Sequence, residues 1–216
     1  MAMFAIILSL ILFTIFVINY IVYWIISIKF KKIDTSLKRY YLKLYPFIWK
    51  ISICIIPILN SSWFETFFAE NISYFKEQLL WFILLGIVLV GLGIRILSLS
   101  QKAIKSAQSE SIKVINKGVY RIIRHPVYLA WFLVFLGLTF IWDSLIGIIL
   151  SPILFMLMDL QCYLEENYVL IPKFKKTFYN YRQKTPYKLI SPPYNYLLVI
   201  LAFLVVYLGF LNLVLI

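Results

Sequence analysis

The side chains best suited to chemistry lie between Gly118 and Tyr128. This stretch contains Arg124, the chain's single histidine His125, and Pro126, and an apolar run follows it directly. Proline suits the first turn of a helix, where free backbone amides favour an anionic group. The free amides near Pro126 would thus favour a carboxylate at the mouth of an apolar helix, and His125 and Tyr128 can each form a hydrogen bond to a ligand there. The alternative is that His125 only caps that helix.

A pair of carboxylates, Glu165 and Glu166, forms the second polar motif. Acidic side chains at the end of an apolar segment are costly unless they are solvated or have partners. One interpretation is that they mark the end of the span and pair with nearby lysines. The other is that they face the same polar site as His125. The intervening residues 127–164 are predicted to form a hairpin that turns at 142–144. A hairpin returns the chain to the same side, so the two motifs can meet.

The composition predicts an all-α polytopic membrane protein. Of the 216 residues, 63% are hydrophobic, and the mean hydropathy is +0.91. A membrane-spanning helix needs about 20 apolar residues. The second candidate is weak, because it is short and contains Lys50 and Pro57. About six spans are predicted: 3–28, 46–62, 78–99, 127–142, 145–164 and 194–216.

The distribution of basic residues predicts the orientation. Segments 29–43, 100–126 and 164–193 carry six Lys or Arg each, which makes 18 of the 21. The positive-inside rule places these segments in the cytoplasm and both termini outside, in the inner or cell membrane if the source is prokaryotic. The first span carries no cleavage signal, so we expect it to be retained.

Two of these cytoplasmic segments are expected to be partly helical. Residues 101–117 are predicted to form a short interfacial helix that Gly118 ends. In 165–193, Pro172 can start a new helix that lies on the membrane surface. Its apolar stripe would consist of Phe174, Phe178 and Tyr181.

Several other features favour structural interpretations. The net charge of +12 fits membrane-facing loops, and no nucleic-acid motif is present, so nucleic-acid binding is not expected. Cys54 and Cys162 lie in apolar segments and have no disulfide or metal-site spacing, so they are predicted to be small buried residues and no metal is expected. Gly86, Gly91 and Gly93 do not form a dinucleotide-binding fingerprint and instead predict close helix packing.

The segment 120–132 resembles the signature of the isoprenylcysteine carboxyl methyltransferase family, which is close to the phospholipid N-methyltransferases. The matching residues are Gly118, Tyr120, Arg124, His125, Pro126, Tyr128 and, after the hairpin, Glu165 and Glu166. The resemblance covers about 80–190. Ala130 and Lys175 stand where the signature has glycine, and Thr185-Pro186-Tyr187 replaces its Val-Pro-Arg.

The resemblance implies an S-adenosylmethionine-dependent methyltransferase with a cytoplasmic-side cofactor pocket. The residues that it implies for cofactor binding are Gly118, Val119, Tyr120, His125, Pro126, Tyr128, Leu129, Glu165 and Glu166. The residues that it implies for catalysis are Arg124, Glu166 and Lys184, with Arg124 or Lys184 orienting the acceptor. Direct methyl displacement depends on alignment and exclusion of water.

The acceptor and two other function classes stay open. A lipophilic or lipidated acceptor from the bilayer is expected: an isoprenylcysteine-like carboxylate, a phospholipid amine or a thiol. The alternatives are an NADPH-dependent reductase of the sterol or steroid type, and a non-catalytic membrane protein or transporter. The predicted organisation is one structural domain, with N-terminal spans in 1–77, a methyltransferase core in 78–193 and a C-terminal span in 194–216.

Overall fold

The computed structural model describes residues 2–29, 36–59, 79–109, 114–190 and 200. Every regular element in these ranges is helical and none is a strand, which confirms the predicted all-α polytopic class. The helices are α1 (Ala2–Lys29), α2 (Ser36–Leu59), α3 (Leu79–Ser109), α4 (Pro126–Ile141), α5 (Leu145–Glu165), α6 (Ile171–Phe174) and α7 (Lys176–Lys184).

Among the described residues, four helices are long and apolar enough to cross a membrane, and they agree with four of the predicted spans. Their apolar windows are Leu10–Lys29, Lys38–Leu59, Leu80–Gln108 and Ile146–Phe174. The predicted fourth span is α4, which has only 16 residues and is apolar. Most of its side chains are buried by neighbouring helices, as expected of a helix that is hydrophobic all round. The predicted span 194–216 and the segment 60–77 lie outside the described residues.

Close backbone contact joins α3 and α4, the most extensive helix pair. A Cβ atom on Gly86 would lie 2.6 Å from the Gly137 carbonyl oxygen, and one on Gly93 would lie 2.8 Å from that of Ala130. The predicted packing role is therefore confirmed for Gly86 and Gly93. It is wrong for Gly91, because a Cβ there would meet nothing within 4 Å.

The predicted interfacial helix at 101–117 is wrong. No separate helix begins near 101, because α3 continues without a break from Leu79 to Ser109. No glycine or proline interrupts the sequence from 94 to 109, so nothing favours a helix break there. Gly118 instead begins a short 3₁₀ turn, Gly118–Arg121, with a positive φ of 57°. That conformation is readily available to glycine.

The single surface helix predicted from Pro172 onward is also wrong. From α5 the chain passes through a π-helix, Glu166–Leu170, directly into α6. The break comes at Lys175, where φ is 46°, and α7 follows. The predicted stripe nevertheless faces inward, since Phe178 and Tyr181 are buried.

The hairpin between α4 and α5 is confirmed. Its turn lies at 142–144, where Asp143 has a φ of 48°. Ser144 then caps α5, because its hydroxyl accepts a hydrogen bond from the Gly147 amide at 3.2 Å. This turn brings the end of α5 back beside the start of α4.

The first two helices cover the same side of the bundle. Tyr45, Trp49, Ile53 and Ile56 are buried along one face of α2. The Tyr23 ring of α1 stacks on the Tyr45 ring with 3.9 Å between centroids. An aromatic wall therefore faces the site where α4 and α5 meet.

Candidate active site

Backbone hydrogen bonds join the loop before α4 to the residues that follow α7. The Arg124 amide donates to the Tyr187 carbonyl at 3.0 Å, and the His125 amide donates to the Lys188 carbonyl at 2.9 Å. These two amides are therefore occupied. The expectation that the amides near Pro126 are free to bind a carboxylate is wrong for this pair.

Arg124, His125 and Glu166 form a buried ion cluster. The Arg124 Nε and Nη2 atoms lie 2.7 and 3.4 Å from the two carboxylate oxygens of Glu166. Nη1 donates to the carbonyls of Thr185 and Pro186 at 2.7 and 2.6 Å. His125 Nε2 lies 2.9 Å from Glu166 Oε1, and a carboxylate can only accept, so Nε2 carries the proton. The cluster thus satisfies its charges internally.

Glu165 belongs to a different set of contacts, although it precedes Glu166 directly. Its Oε2 atom accepts a 2.8 Å hydrogen bond from the Tyr128 hydroxyl. Gln161 Nε2 donates to that hydroxyl at 3.2 Å, and Trp24 Nε1 of α1 donates to Gln161 Oε1 at 2.7 Å. We call Trp24, Gln161, Tyr128 and Glu165 the cavity-facing network. It connects α1 to the end of α5.

Exposure separates the two glutamates. The Glu165 side chain is 32% exposed, whereas that of Glu166 is 3% exposed. Successive residues of a helix point about 100° apart, and here that angle directs one carboxylate into a cavity and the other into the protein. His125 lies between them, with Nδ1 3.8 Å from Glu165 Oε2.

A cavity of about 850 Å³ lies against Glu165 and His125. This volume is within the range of about 300–1,000 Å³ that is typical of small-molecule sites. Aromatic side chains of α1, α2 and α4 form one wall. The remaining lining comes from α3, the end of α5, α6, α7 and the segments that join these helices. The aromatic wall consists of Tyr23, Tyr45, Trp49, Tyr128 and Trp131.

The structure brings some of the predicted site residues together and leaves others apart. Those that line the cavity are Tyr120, Arg124, His125, Tyr128 and Glu165. Those outside its lining are Gly118, Val119, Pro126, Leu129 and Glu166. Lys184 is exposed at the end of α7 and also lies outside the lining, although the next residue, Thr185, accepts a hydrogen bond from Arg124 through its carbonyl.

Sequence reasoning missed several lining residues. Gln161 had a detectable signal, because it is a lone amide in an apolar span, four residues before Glu165 and so on the same helix face. Lys50 was interpreted only as a weakness of the second span. Trp24 lies outside the lining and contacts two lining residues, Gln161 by a hydrogen bond and Tyr23 by an edge-on ring contact. Its own sequence context carried no such signal.

Two phenols beside the cavity remain protonated at neutral pH. Burial, with a further contribution from the Glu165 charge, raises the pKa of Tyr120 to about 12. Burial also raises the pKa of Tyr181 above its usual value. The Tyr181 hydroxyl donates to the Tyr120 carbonyl at 2.7 Å. Tyr120 therefore presents a neutral hydrogen-bonding group to the cavity.

Comparison with known families places this site in context. Residues 80–177 match the family model of phospholipid methyltransferase. The matched segment runs from α3 into α7 and includes His125, Tyr128 and both glutamates, but neither α1 nor α2. It supports the broader part of the predicted resemblance, which is to the neighbourhood of the phospholipid methyltransferases. No curated protein and no solved structure matches the chain.

Proposed function

We propose that this protein is an integral membrane methyltransferase that uses S-adenosylmethionine and acts on a lipophilic acceptor. The observation that carries the proposal is the convergence of Tyr128, His125 and Glu165 on one cavity, within the segment similar to phospholipid methyltransferases. The cavity lies among helices apolar enough to span a membrane. An acceptor dissolved in the bilayer would therefore enter from between these helices.

The residues of the cavity fit the chemistry of the cofactor. S-adenosylmethionine supplies an activated methyl group on a sulfonium, and it also carries an ammonium and a carboxylate. Glu165 offers a partly exposed carboxylate that suits the ammonium. The rings of Trp49 and Tyr128 line the same space, and aromatic faces attract cations such as a sulfonium.

Tyr128 takes a supporting part in this arrangement. A phenol has one hydrogen to donate, and that of Tyr128 goes to Glu165. Tyr128 therefore orients Glu165, and other donors must meet the cofactor's carboxylate. The Tyr120 hydroxyl and the Lys173 ammonium both line the cavity and are suited to it.

The buried ion cluster supports catalysis by fixing geometry. Arg124 was expected to orient the acceptor, but its guanidinium donates to Glu166 and to two backbone carbonyls. It therefore holds the loop before α4, the end of α5 and the chain after α7 in one arrangement. Displacement at a methyl group depends on such alignment and on exclusion of water.

The proposal includes the finer features that the sequence predicted. The acceptor classes are an isoprenylcysteine-like carboxylate, a phospholipid amine and a thiol. The loop before α4 and the residues around α7 belong to segments that carry six basic residues each. Their charge supports a cytoplasmic location for the cavity, with both termini outside.

A binding titration in lipid nanodiscs tests the proposal against the reductase alternative. S-adenosylmethionine and NADPH would be titrated separately into the purified protein, with calorimetric detection. We expect saturable one-to-one binding of S-adenosylmethionine and none of NADPH. Preference for NADPH, or binding of neither compound, would contradict the proposed function.

A further inference from the structure

Lys50 occupies an unusual place for a charged side chain. It lies in the apolar window Lys38–Leu59 of α2, twelve residues after its start and nine before its end. At about 1.5 Å per residue, it lies roughly 10 Å beyond Lys43, the last basic residue of the segment 29–43 that is predicted to face the cytoplasm. Lysine is costly at such depth, and in membrane proteins such residues usually face a cavity and mark the path of a ligand.

The contacts of Lys50 direct it toward the cavity. It is one of the cavity-lining residues, and its Nζ atom lies 5.8 Å from the centroid of the Trp131 ring. Within the described ranges, no carboxylate pairs with it. By contrast, Lys188 pairs with Asp159 at 2.6 Å. Among the described residues, the contact of the Lys50 ammonium is therefore with the aromatic wall of the cavity.

The aromatic wall connects Lys50 to the candidate cofactor site. Trp131 lies three residues after Tyr128 on α4, about 4.5 Å further from the polar loop. The Trp49 ring packs edge-on against both, at 6.1 Å from Tyr128 and 6.3 Å from Trp131. The cavity therefore has an acidic group, Glu165, near the loop, and a basic group, Lys50, further along the same wall.

We propose that Lys50 binds an anionic group of the lipophilic acceptor and thereby determines which acceptors are used. This inference rests on the proposed methyltransferase function. The anionic group is a phosphodiester or a carboxylate, held in the apolar part of the cavity beside Trp131. Lys50 lies outside residues 80–177, so this selectivity comes from α2 and not from the segment that matches the family model.

The positive charge of Lys50 favours an anionic group of the acceptor beside it. Lys50 is exposed, but it lies in a helix apolar enough to span a membrane, where an ionic contact is stronger than in water. The Trp131 ring beside the ammonium stabilises the lysine charge without occupying its N–H donors. An acceptor with a neutral head group would form no ionic contact with this ammonium.

Three long-chain probes test the inference without any methyl transfer. Dodecyl phosphate, dodecanoate and dodecanol share one alkyl chain, and the first two distinguish a phosphate from a carboxylate. Binding to the protein in nanodiscs of zwitterionic lipid would be followed by the fluorescence of the tryptophans that line the cavity. We expect at least one anionic probe to bind the wild-type protein about tenfold more tightly than dodecanol does.

Variants at two lysines of α2 complete the experiment. Lys50→Gln should lose the advantage of the anionic probe, while Lys50→Arg should retain most of it. Lys43→Gln is the matched control, since Lys43 is exposed on the same helix and does not line the cavity. It should behave as wild type.

Other results would overturn the inference separately from the proposed function. Equal binding of the anionic probe to wild type and Lys50→Gln would show that Lys50 only extends toward lipid head groups. A loss of S-adenosylmethionine affinity in Lys50→Gln, with unchanged probe binding, would assign the lysine to the cofactor. The proposed function itself fails if wild-type protein does not bind S-adenosylmethionine or prefers NADPH, whatever the result at Lys50.

Discussion

Glu165 and Glu166 are neighbours in the chain but lie in opposite surroundings. Glu166 is buried against Arg124 and His125, and both of its oxygens contact these side chains. Glu165 is partly exposed, accepts a hydrogen bond from Tyr128 and faces the cavity. The comparison indicates that Glu166 stabilises the folded protein through its ion pair, while Glu165 is positioned to bind a ligand in the cavity.

The backbone contributes to this division. Glu166 begins the π-helix that follows α5, and π-helical turns occur frequently at functional sites. The charge of Glu166 is compensated by the Arg124 guanidinium, whereas Glu165 accepts a hydrogen bond from the neutral Tyr128 hydroxyl. Substitutions in the buried ion cluster should therefore lower the stability of the protein. Substitutions in the cavity-facing network should instead lower its affinity for S-adenosylmethionine.

The largest effect is expected from Arg124→Met. This change leaves Glu166 with His125 alone and removes the donor to the Thr185 and Pro186 carbonyls. Breaking a buried ion pair costs about 3–5 kcal/mol, so the thermal unfolding midpoint should fall substantially. The double variant Arg124→Met with Glu166→Met should be less destabilised than the sum of the single changes. Additive effects would contradict the buried ion cluster.

A smaller effect, of a different kind, is expected from Glu165→Gln. The thermal midpoint without ligand should stay close to that of wild type, because Gln can still accept a hydrogen bond from Tyr128. The affinity for S-adenosylmethionine should fall about tenfold, since a charged partner of the ammonium is lost. Asp159→Asn on the same helix is the control and should bind normally, because Asp159 lies outside this cavity.

Tyr128→Phe should have a weaker effect on affinity. The ring remains against Trp49, but the hydrogen bond that orients Glu165 is lost. A hydrogen bond contributes about 0.5–1.5 kcal/mol, so affinity for S-adenosylmethionine should fall a few-fold in the same titration. An effect as large as that of Glu165→Gln would show that the hydroxyl contacts the ligand itself.

The smallest effect is expected from Trp24→Phe. This change removes the donor to Gln161 at the far end of the cavity-facing network, so cofactor affinity should fall about twofold. Thr14→Val is the control on α1, because Thr14 is exposed and its hydroxyl donates to the Leu10 carbonyl of the same helix, at 2.7 Å. Equal results for both variants would show that α1 does not act through Gln161.

The sequence allowed the framework of the site to be predicted. The hairpin turn at 142–144 followed from its polar residues between two apolar runs. The return of α5 then placed the glutamate pair beside His125, as the structure confirms. These inferences needed only local patterns and the rule that a hairpin reverses direction.

The division between the glutamates could not be predicted in the same way. Which carboxylate faces the cavity depends on the rotation of the helix at the π-helical turn, and no local pattern indicated that turn. The partners of Arg124 are carbonyls about 60 residues away, at Thr185 and Pro186. Lys50 and Trp24 come from helices that reach the site only through tertiary packing.

Thermal unfolding with and without S-adenosylmethionine tests the central comparison most directly. A ligand that binds only the folded protein raises its unfolding midpoint. Wild-type protein should therefore show a clear rise. Glu165→Gln should unfold at the wild-type midpoint without ligand and rise much less when ligand is added. No rise in wild type, or equal rises in both proteins, would contradict the assignment of Glu165 to the cofactor.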